Sequence, residues 1–196
     1  MVLNKKKCLF FCWTIIIFSF VYPFLNSFYL INPVESILHY SGQSSIRFLL
    51  LTLMITPLVK FLKQPFFMFA RRMFGLTSFF YALLHFLVYL FFEIESFGIY
   101  EDFQTRPFIA YGFFAFFCLI PLAVTSNKNL IKKIGAKNWK NLHQLIYPAF
   151  AFSAFHYYFK SVSKEGPGLA LAYLFLGLFL LFFRAFKLSF RSRIDD

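Results

Sequence analysis

The chain has 196 residues, of which 60% are hydrophobic and 24% aromatic, 34 of them phenylalanine. That is more apolar surface than one soluble core can bury, so the excess must face lipid and a water-soluble globular fold is excluded. The formal charge of +12 would suggest nucleic acid in a soluble protein, but the basic residues fall in short clusters between apolar segments, the pattern that orients membrane helices, and no nucleic-acid partner is expected.

In chain order, six apolar stretches run over roughly 8–31, 46–62, 74–94, 107–124, 142–159 and 168–187, each near the ~20 residues that cross a hydrocarbon core. The first follows Lys5, Lys6 and Lys7; it is too long for a signal-peptide core and lacks a small-x-small cleavage site, so it is expected to remain as a membrane anchor. Cys8, Cys12 and Cys118 lie inside these stretches without CxxC spacing and read as small apolar filler. Runs such as Phe113-Phe114-Ala115-Phe116-Phe117 have neither strand alternation nor an amphipathic stripe and read as spanning helix. Pro57, Pro121 and Pro148 each remove a backbone donor within a stretch, so local kinks are expected there.

Orientation follows from the Lys and Arg count. With the N-terminus inside, the cytoplasmic side holds Lys5, Lys6, Lys7, Lys60, Lys63, Arg71, Arg72, Lys128, Lys132, Lys133, Lys137, Lys140, Arg184, Lys187, Arg191 and Arg193. The outer side keeps Arg47, Arg106, Lys160 and Lys164, with the acids Glu35, Glu93, Glu95, Glu101, Asp102 and Glu165. The expected fold is an all-α membrane protein, a six-transmembrane-helix bundle with both termini cytoplasmic. Residues 1–196 form a single membrane domain, because no linker, internal repeat or large loop divides them.

Four histidines carry the candidate chemistry: His39, His85, His143 and His156. An ionisable side chain in a spanning helix is costly and by default points to function. His85 lies deep in the third stretch among Leu83, Leu84, Phe86 and Leu87. His143 opens the fifth and His156 lies near its end, a rise of roughly 20 Å with a rotation of about 220°, so those two cannot share a metal. Counted from the cytoplasmic side, His85 stands about 16 Å up its helix and His156 about 21 Å, a difference that tilt can remove. That pair could clamp one iron between two helices, as imidazoles do in six-coordinate haem b. The alternative is that such histidines bond backbone carbonyls or waters between helices. His39 reads as an interfacial residue at the outer side, with a quinone or propionate contact as the other possibility. There is no Walker loop, GxGxxG, HExxH or intramembrane carboxylate pair. A small proton-coupled transporter using the histidines, or a haemless membrane anchor, are the competing readings.

Several fragments, taken in order and spacing, resemble the MsrQ (YedZ) family, the haem-binding membrane subunits of periplasmic methionine sulfoxide reductase systems. They are His39-Tyr40-Ser41-Gly42, Ile55-Thr56-Pro57-Leu58, Arg71-Arg72-Met73-Phe74-Gly75-Leu76, Leu84-His85, Thr105-Arg106-Pro107-Phe108, Ala123-Val124-Thr125-Ser126, Trp139-Lys140-Asn141-Leu142-His143 with Tyr147, and His156-Tyr157. The resemblance implies a ferric-reductase-like transmembrane domain in the bacterial inner membrane. It implies one or two haem b groups, with FMN in some accounts, and electron transport from the membrane quinone pool, aided by a cytoplasmic flavin reductase. The acceptor it implies is a periplasmic molybdopterin subunit, MsrP; the chain itself would be an electron-transfer subunit and not the catalytic one. It carries the haem-ligand role onto His85, His143 and His156. The wider ferric reductase group places two ligands on each of two helices, whereas here the positions 13 and 14 residues before His85 are Arg72 and Arg71. Depth alone places an electron exit around Arg47, Arg106 and His39. The basic cytoplasmic loops read as topology signals, with a flavin phosphate or anionic lipid on Lys132, Lys133 and Lys137 as the weaker alternative.

Overall fold

The computed structural model describes residues 5–27, 31–64, 67–94, 98–164 and 166–192, and all regular structure among them is helical. Six long helices are α1 (Lys5–Ser27), α2 (Pro33–Leu62), α3 (Met68–Val88, continued by a π-helical turn Tyr89–Glu93), α5 (Phe108–Val124), α8 (Ile146–Lys164) and α9 (Gly168–Ser192). Three short ones join them: α4 (Ile99–Thr105), α6 (Lys128–Ile134) and α7 (Ala136–Leu142). Three helical runs are long and apolar enough to cross a bilayer: Lys6–Pro23, Pro33–Leu62 and Met68–Glu93. A fourth exists if α4 and α5, bent by 120°, count as one span. This is a multi-pass membrane protein.

Each apolar stretch of the sequence coincides with a long helix, but the second begins well before residue 46. Asn32 accepts a hydrogen bond from the Glu35 N–H at 3.3 Å and Pro33 occupies the first helical position, so α2 starts there. Its polar first half (Ser36, His39, Gln43, Ser44) lowers the hydropathy without breaking the helix. Arg47, expected in an outer loop, therefore lies inside α2, beyond Gly42. Pro57 and Pro121 sit within continuous helices. At Pro121 the carbonyl accepts from the Thr125 N–H (3.0 Å) and hydroxyl (2.6 Å), while Pro148 falls in the first turn of α8, where its missing donor costs nothing. The end of the first stretch at 28–30, Glu95, Glu165 and Arg193 lie outside the described residues.

The core is built from two antiparallel hairpins, α2 on α3 and α5 on α8, which touch each other far less than their own members do. Small residues let α2 and α3 approach closely: Ser78 donates to the Ser45 carbonyl at 2.8 Å and Ser45 to the Ser78 carbonyl at 3.0 Å. Aromatic rings join α5 to α8, with Tyr111 and Phe114 against Phe152 at 6.5 and 5.6 Å. Below the level of His85 the hairpins share an apolar layer of Leu49, Leu53, Leu119, Leu122, Ile146 and Phe150. α1 lies outside this bundle, and its Cys8, Cys12 and Ile16, one turn apart, pack on Phe48, Ile55 and Phe74 of α2 and α3. Its other face presents Phe10, Phe11, Phe18 and Tyr22 outward, as a lipid-facing helix does.

Candidate functional site

His85 of α3 and His156 of α8 face each other across the seam between the hairpins, their ring centres 6.0 Å apart and the planes at 81°. The two arrive by the same local construction. His85 Nδ1 lies 2.8 Å from the Leu38 carbonyl of α2, and His156 Nδ1 lies 2.8 Å from the Phe108 carbonyl of α5. A carbonyl only accepts, so each Nδ1 carries the proton and each Nε2 keeps its lone pair. One turn past each carbonyl stands a glycine, Gly42 or Gly112. A Cβ at Gly42 would lie 2.9 Å from Nδ1 and Cε1 of His85, and one at Gly112 would lie 2.9 Å from Nδ1 of His156. Only glycine at these places lets the imidazoles lie flat against the neighbouring helix.

The two half-sites repeat in the chain as well as in space. Carbonyl and histidine are separated by 47 residues in the first hairpin and by 48 in the second. Residue-by-residue reading shows no repeat, because only the glycine and the histidine recur and the intervening apolar residues are interchangeable.

His143 stands elsewhere. It opens a 3-10 turn (His143–Leu145) before α8, its Nδ1 3.1 Å from the Trp139 carbonyl and its ring centre 4.0 Å from that of the Trp139 indole, the planes tilted by 35°. Trp139 in turn donates to the Thr125 carbonyl at 3.1 Å, docking α7 against the end of α5. The structure brings His85 and His156 together and leaves His143 about 20 Å away along α8. In the C-terminal part of α2 the hydroxyl of Thr56 is buried without a hydrogen-bond partner among the described residues.

His39 lies within α2 and not before its helix. Gln43 Nε2 is 3.4 Å from His39 Nε2 and donates to the Tyr157 hydroxyl at 3.2 Å. Arg47 donates to Gln43 Oε1 at 2.7 Å and to the Tyr173 hydroxyl at 2.8 Å. This polar stripe ties α2 to α8 and α9 beside the histidine pair. His39, Tyr40 and Gln43 also border a cavity of about 420 Å³ between α1, α2 and α3.

Arg106, expected at an electron exit, is engaged by Asp102 on α4. Its Nε donates to Asp102 Oδ1 at 3.0 Å, with a second donation from the same guanidinium, while the Tyr89 hydroxyl donates to Oδ2 at 2.7 Å. Burial works against the Asp102 charge, but the hydrogen bonds from Arg106 and Tyr89 outweigh it and hold the carboxyl below the usual carboxylate range. Sequence reading missed this buried acid although the i, i+4 spacing of Asp102 and Arg106 is a local signal for the pair; the Tyr89 contact, 13 residues away across the π-turn, is not.

Residues 41–154 match the family described as ferric reductase like transmembrane component, a span that starts beside Gly42 and covers both hairpins up to the last turn before His156. Among curated proteins the chain is 40% identical over 146 residues to the protein-methionine-sulfoxide reductase heme-binding subunit MsrQ of Deinococcus radiodurans, covering 74% of this chain and 72% of that one. This chain belongs to the MsrQ family. Within that family it is 42% identical over 137 residues to the MsrQ of Herminiimonas arsenicoxydans. It is 40% identical over 129 residues to that of Xanthomonas campestris pv. campestris (strain B100). The chain spans about three-fifths of the length of these last two MsrQ proteins, 62% and 59%.

Proposed function

We propose that this chain is a haem b electron-transfer subunit of the bacterial inner membrane, carrying electrons from the quinone pool to a periplasmic MsrP-type methionine sulfoxide reductase. The reading rests on one observation, the facing imidazoles of His85 and His156 with both Nε2 lone pairs left open. Two metal–nitrogen bonds of about 2 Å, with the offset from nitrogen to ring centre at each end, span roughly 6 Å, which matches the separation of the rings. Among the described residues no group of three or more His, Cys, Asp or Glu side chains gathers to hold a bare ion. A pair of imidazoles suits an iron whose other four ligands come from a macrocycle.

His85 and His156 would hold the haem iron. Leu38 and Phe108 hold each ring in one tautomer through their carbonyls, which raises the basicity of the ligating nitrogen. Gly42 and Gly112 supply clearance. When bound, the haem supplies a one-electron carrier, and two protein ligands favour electron transfer over oxygen binding.

In the same reading all six long helices span the membrane with both chain ends cytoplasmic, supported by the basic clusters that fall together at one end of the bundle. The histidine pair then lies nearer the periplasmic face, since Gly112 is about 6 Å and Gly42 about 14 Å from the start of its helix. A cytoplasmic flavin reductase would meet the opposite face, where Lys132, Lys133 and Lys137 are exposed on α6 and α7. Those lysines form an open surface.

The test is the absorbance spectrum of the purified protein in detergent, oxidised and dithionite-reduced, with His85→Ala and His156→Ala beside it. A b-type spectrum in the wild type, lost or shifted in both variants, is expected. A wild type made with ample haem that shows no haem bands would sink the reading.

A further inference from the structure

One buried carboxylate connects the two half-sites. Tyr89 lies one turn past His85 on the same helix, at the start of the π-helical turn that ends α3, where Ile94 N–H reaches back to the Tyr89 carbonyl at 3.1 Å. Asp102, 2% exposed, accepts from the Tyr89 hydroxyl with one oxygen and from Arg106 with the other. Arg106 ends α4, its backbone N–H bonded to the Asp102 carbonyl at 2.8 Å, and its own carbonyl accepts from Ile109 at 2.9 Å, setting the corner from which α5 starts. Two residues past Arg106 is Phe108, whose carbonyl holds His156. An aromatic layer closes the space beneath. Phe113, next to Gly112, packs edge-on against Phe86, Tyr89 and Phe103 at 5.3, 6.3 and 5.1 Å.

We infer that Tyr89, Asp102 and Arg106 act as positioning residues for the iron site: the clasp ties the helix that carries His85 to the corner that presents the Phe108 carbonyl to His156, and so sets the distance between the two imidazoles. The inference rests on the haem reading above. The geometry explains why an acid is held in an apolar corner at all. Burying an aspartate where α3, α4 and α5 meet is costly unless its oxygens find donors, and here Tyr89 and Arg106, the latter reaching in from a side chain 31% exposed, supply donors to both oxygens. Such a fully bonded group resists displacement, whereas apolar packing alone would leave the corner free to slide between rotamers. Loosening it would let one imidazole drift from the iron, and the first sign would be access of an external ligand to that position.

The experiment uses the full chain purified with haem, comparing wild type with Asp102→Asn, Tyr89→Phe and Arg106→Lys. The readouts are carbon monoxide binding by the reduced protein and the low-spin electron paramagnetic resonance signal of the oxidised protein. The wild type should bind little carbon monoxide. Asp102→Asn, with similar shape and no charge, should raise the fraction that binds it at least several-fold and broaden the low-spin signal, while Arg106→Lys, which keeps the charge, should stay closer to wild type. If Asp102→Asn does not yield folded protein, Tyr89→Phe, which removes a single hydroxyl, decides in its place. A haem-bearing wild type whose folded variants show the same carbon monoxide binding and the same resonance signal overturns this inference alone. A wild type without haem bands overturns the haem reading, and this inference with it.

Discussion

A methyl group at Gly42 or Gly112 would enter space that an imidazole already fills. Gly42→Ala and Gly112→Ala should therefore each push a histidine off its carbonyl, an overpacking cost of about 1–3 kcal/mol borne by the site. The expected result is a lower haem-to-protein ratio in both. Gly75→Ala is the matched control, since its Cβ would meet the Thr52 methyl at 3.6 Å, ordinary contact, and haem content there should stay as in wild type. Full haem loading in Gly42→Ala and Gly112→Ala would show that the close approach is not needed. At this scale the histidines were legible and their surroundings were not. Helix-rise arithmetic placed His85 and His156 within a few ångströms of one level, and the rings stand 6.0 Å apart. The carbonyls of Leu38 and Phe108 could not be foreseen, because any residue supplies a carbonyl and only the tertiary approach chooses which one is used. Asp102 read as one acid among several in an outer loop, and its burial depends on a corner that no local pattern announces.

Among the elements, the long apolar helices were visible as hydropathy and the short polar-flanked ones were not. α4, α6 and α7 are seven residues each, too short for a periodic signal to rise above the loops around them. Hydropathy does not mark the start of α2; the Asn32 cap and Pro33 do, and of the polar residues that follow, Gln43 and Arg47 bond across to α8 and α9. The hydroxyl and amide groups of that stripe are what make it look like a loop. Packing of α9 depends on a contact of the opposite kind. Gly177 accepts the edge of Phe150, and a Cβ there would lie 1.8 Å from its Cζ. Gly177→Ala should lower the thermal unfolding midpoint by roughly 2–12 °C, from about 1–3 kcal/mol of overpacking. The b-type spectrum should be retained at low temperature, since α9 supplies neither histidine. A midpoint equal to wild type would mean that α9 can shift along α8 without cost.

For the molecule as a whole, charge decides orientation and geometry decides where the site falls within it. In intact cells, an impermeant maleimide should label Glu101→Cys and leave Lys137→Cys unmodified until the membrane is opened, and the reverse pattern would invert the proposed topology. The native Cys8 and Cys12 are buried, which limits their background. Fold class was legible from composition alone because a chain this apolar has few other solutions, but the division into two like hairpins was not, since the recurrence involves a handful of positions about 70 residues apart. That division has a consequence for how the protein is made. Each hairpin holds one imidazole and neither holds both, so the pocket does not exist until the second hairpin has left the ribosome and entered the bilayer. At ~5–20 residues per second, the roughly 70 residues between His85 and His156 correspond to a wait of about 4–14 s. On the haem reading proposed above, cofactor insertion is then a late step of biogenesis.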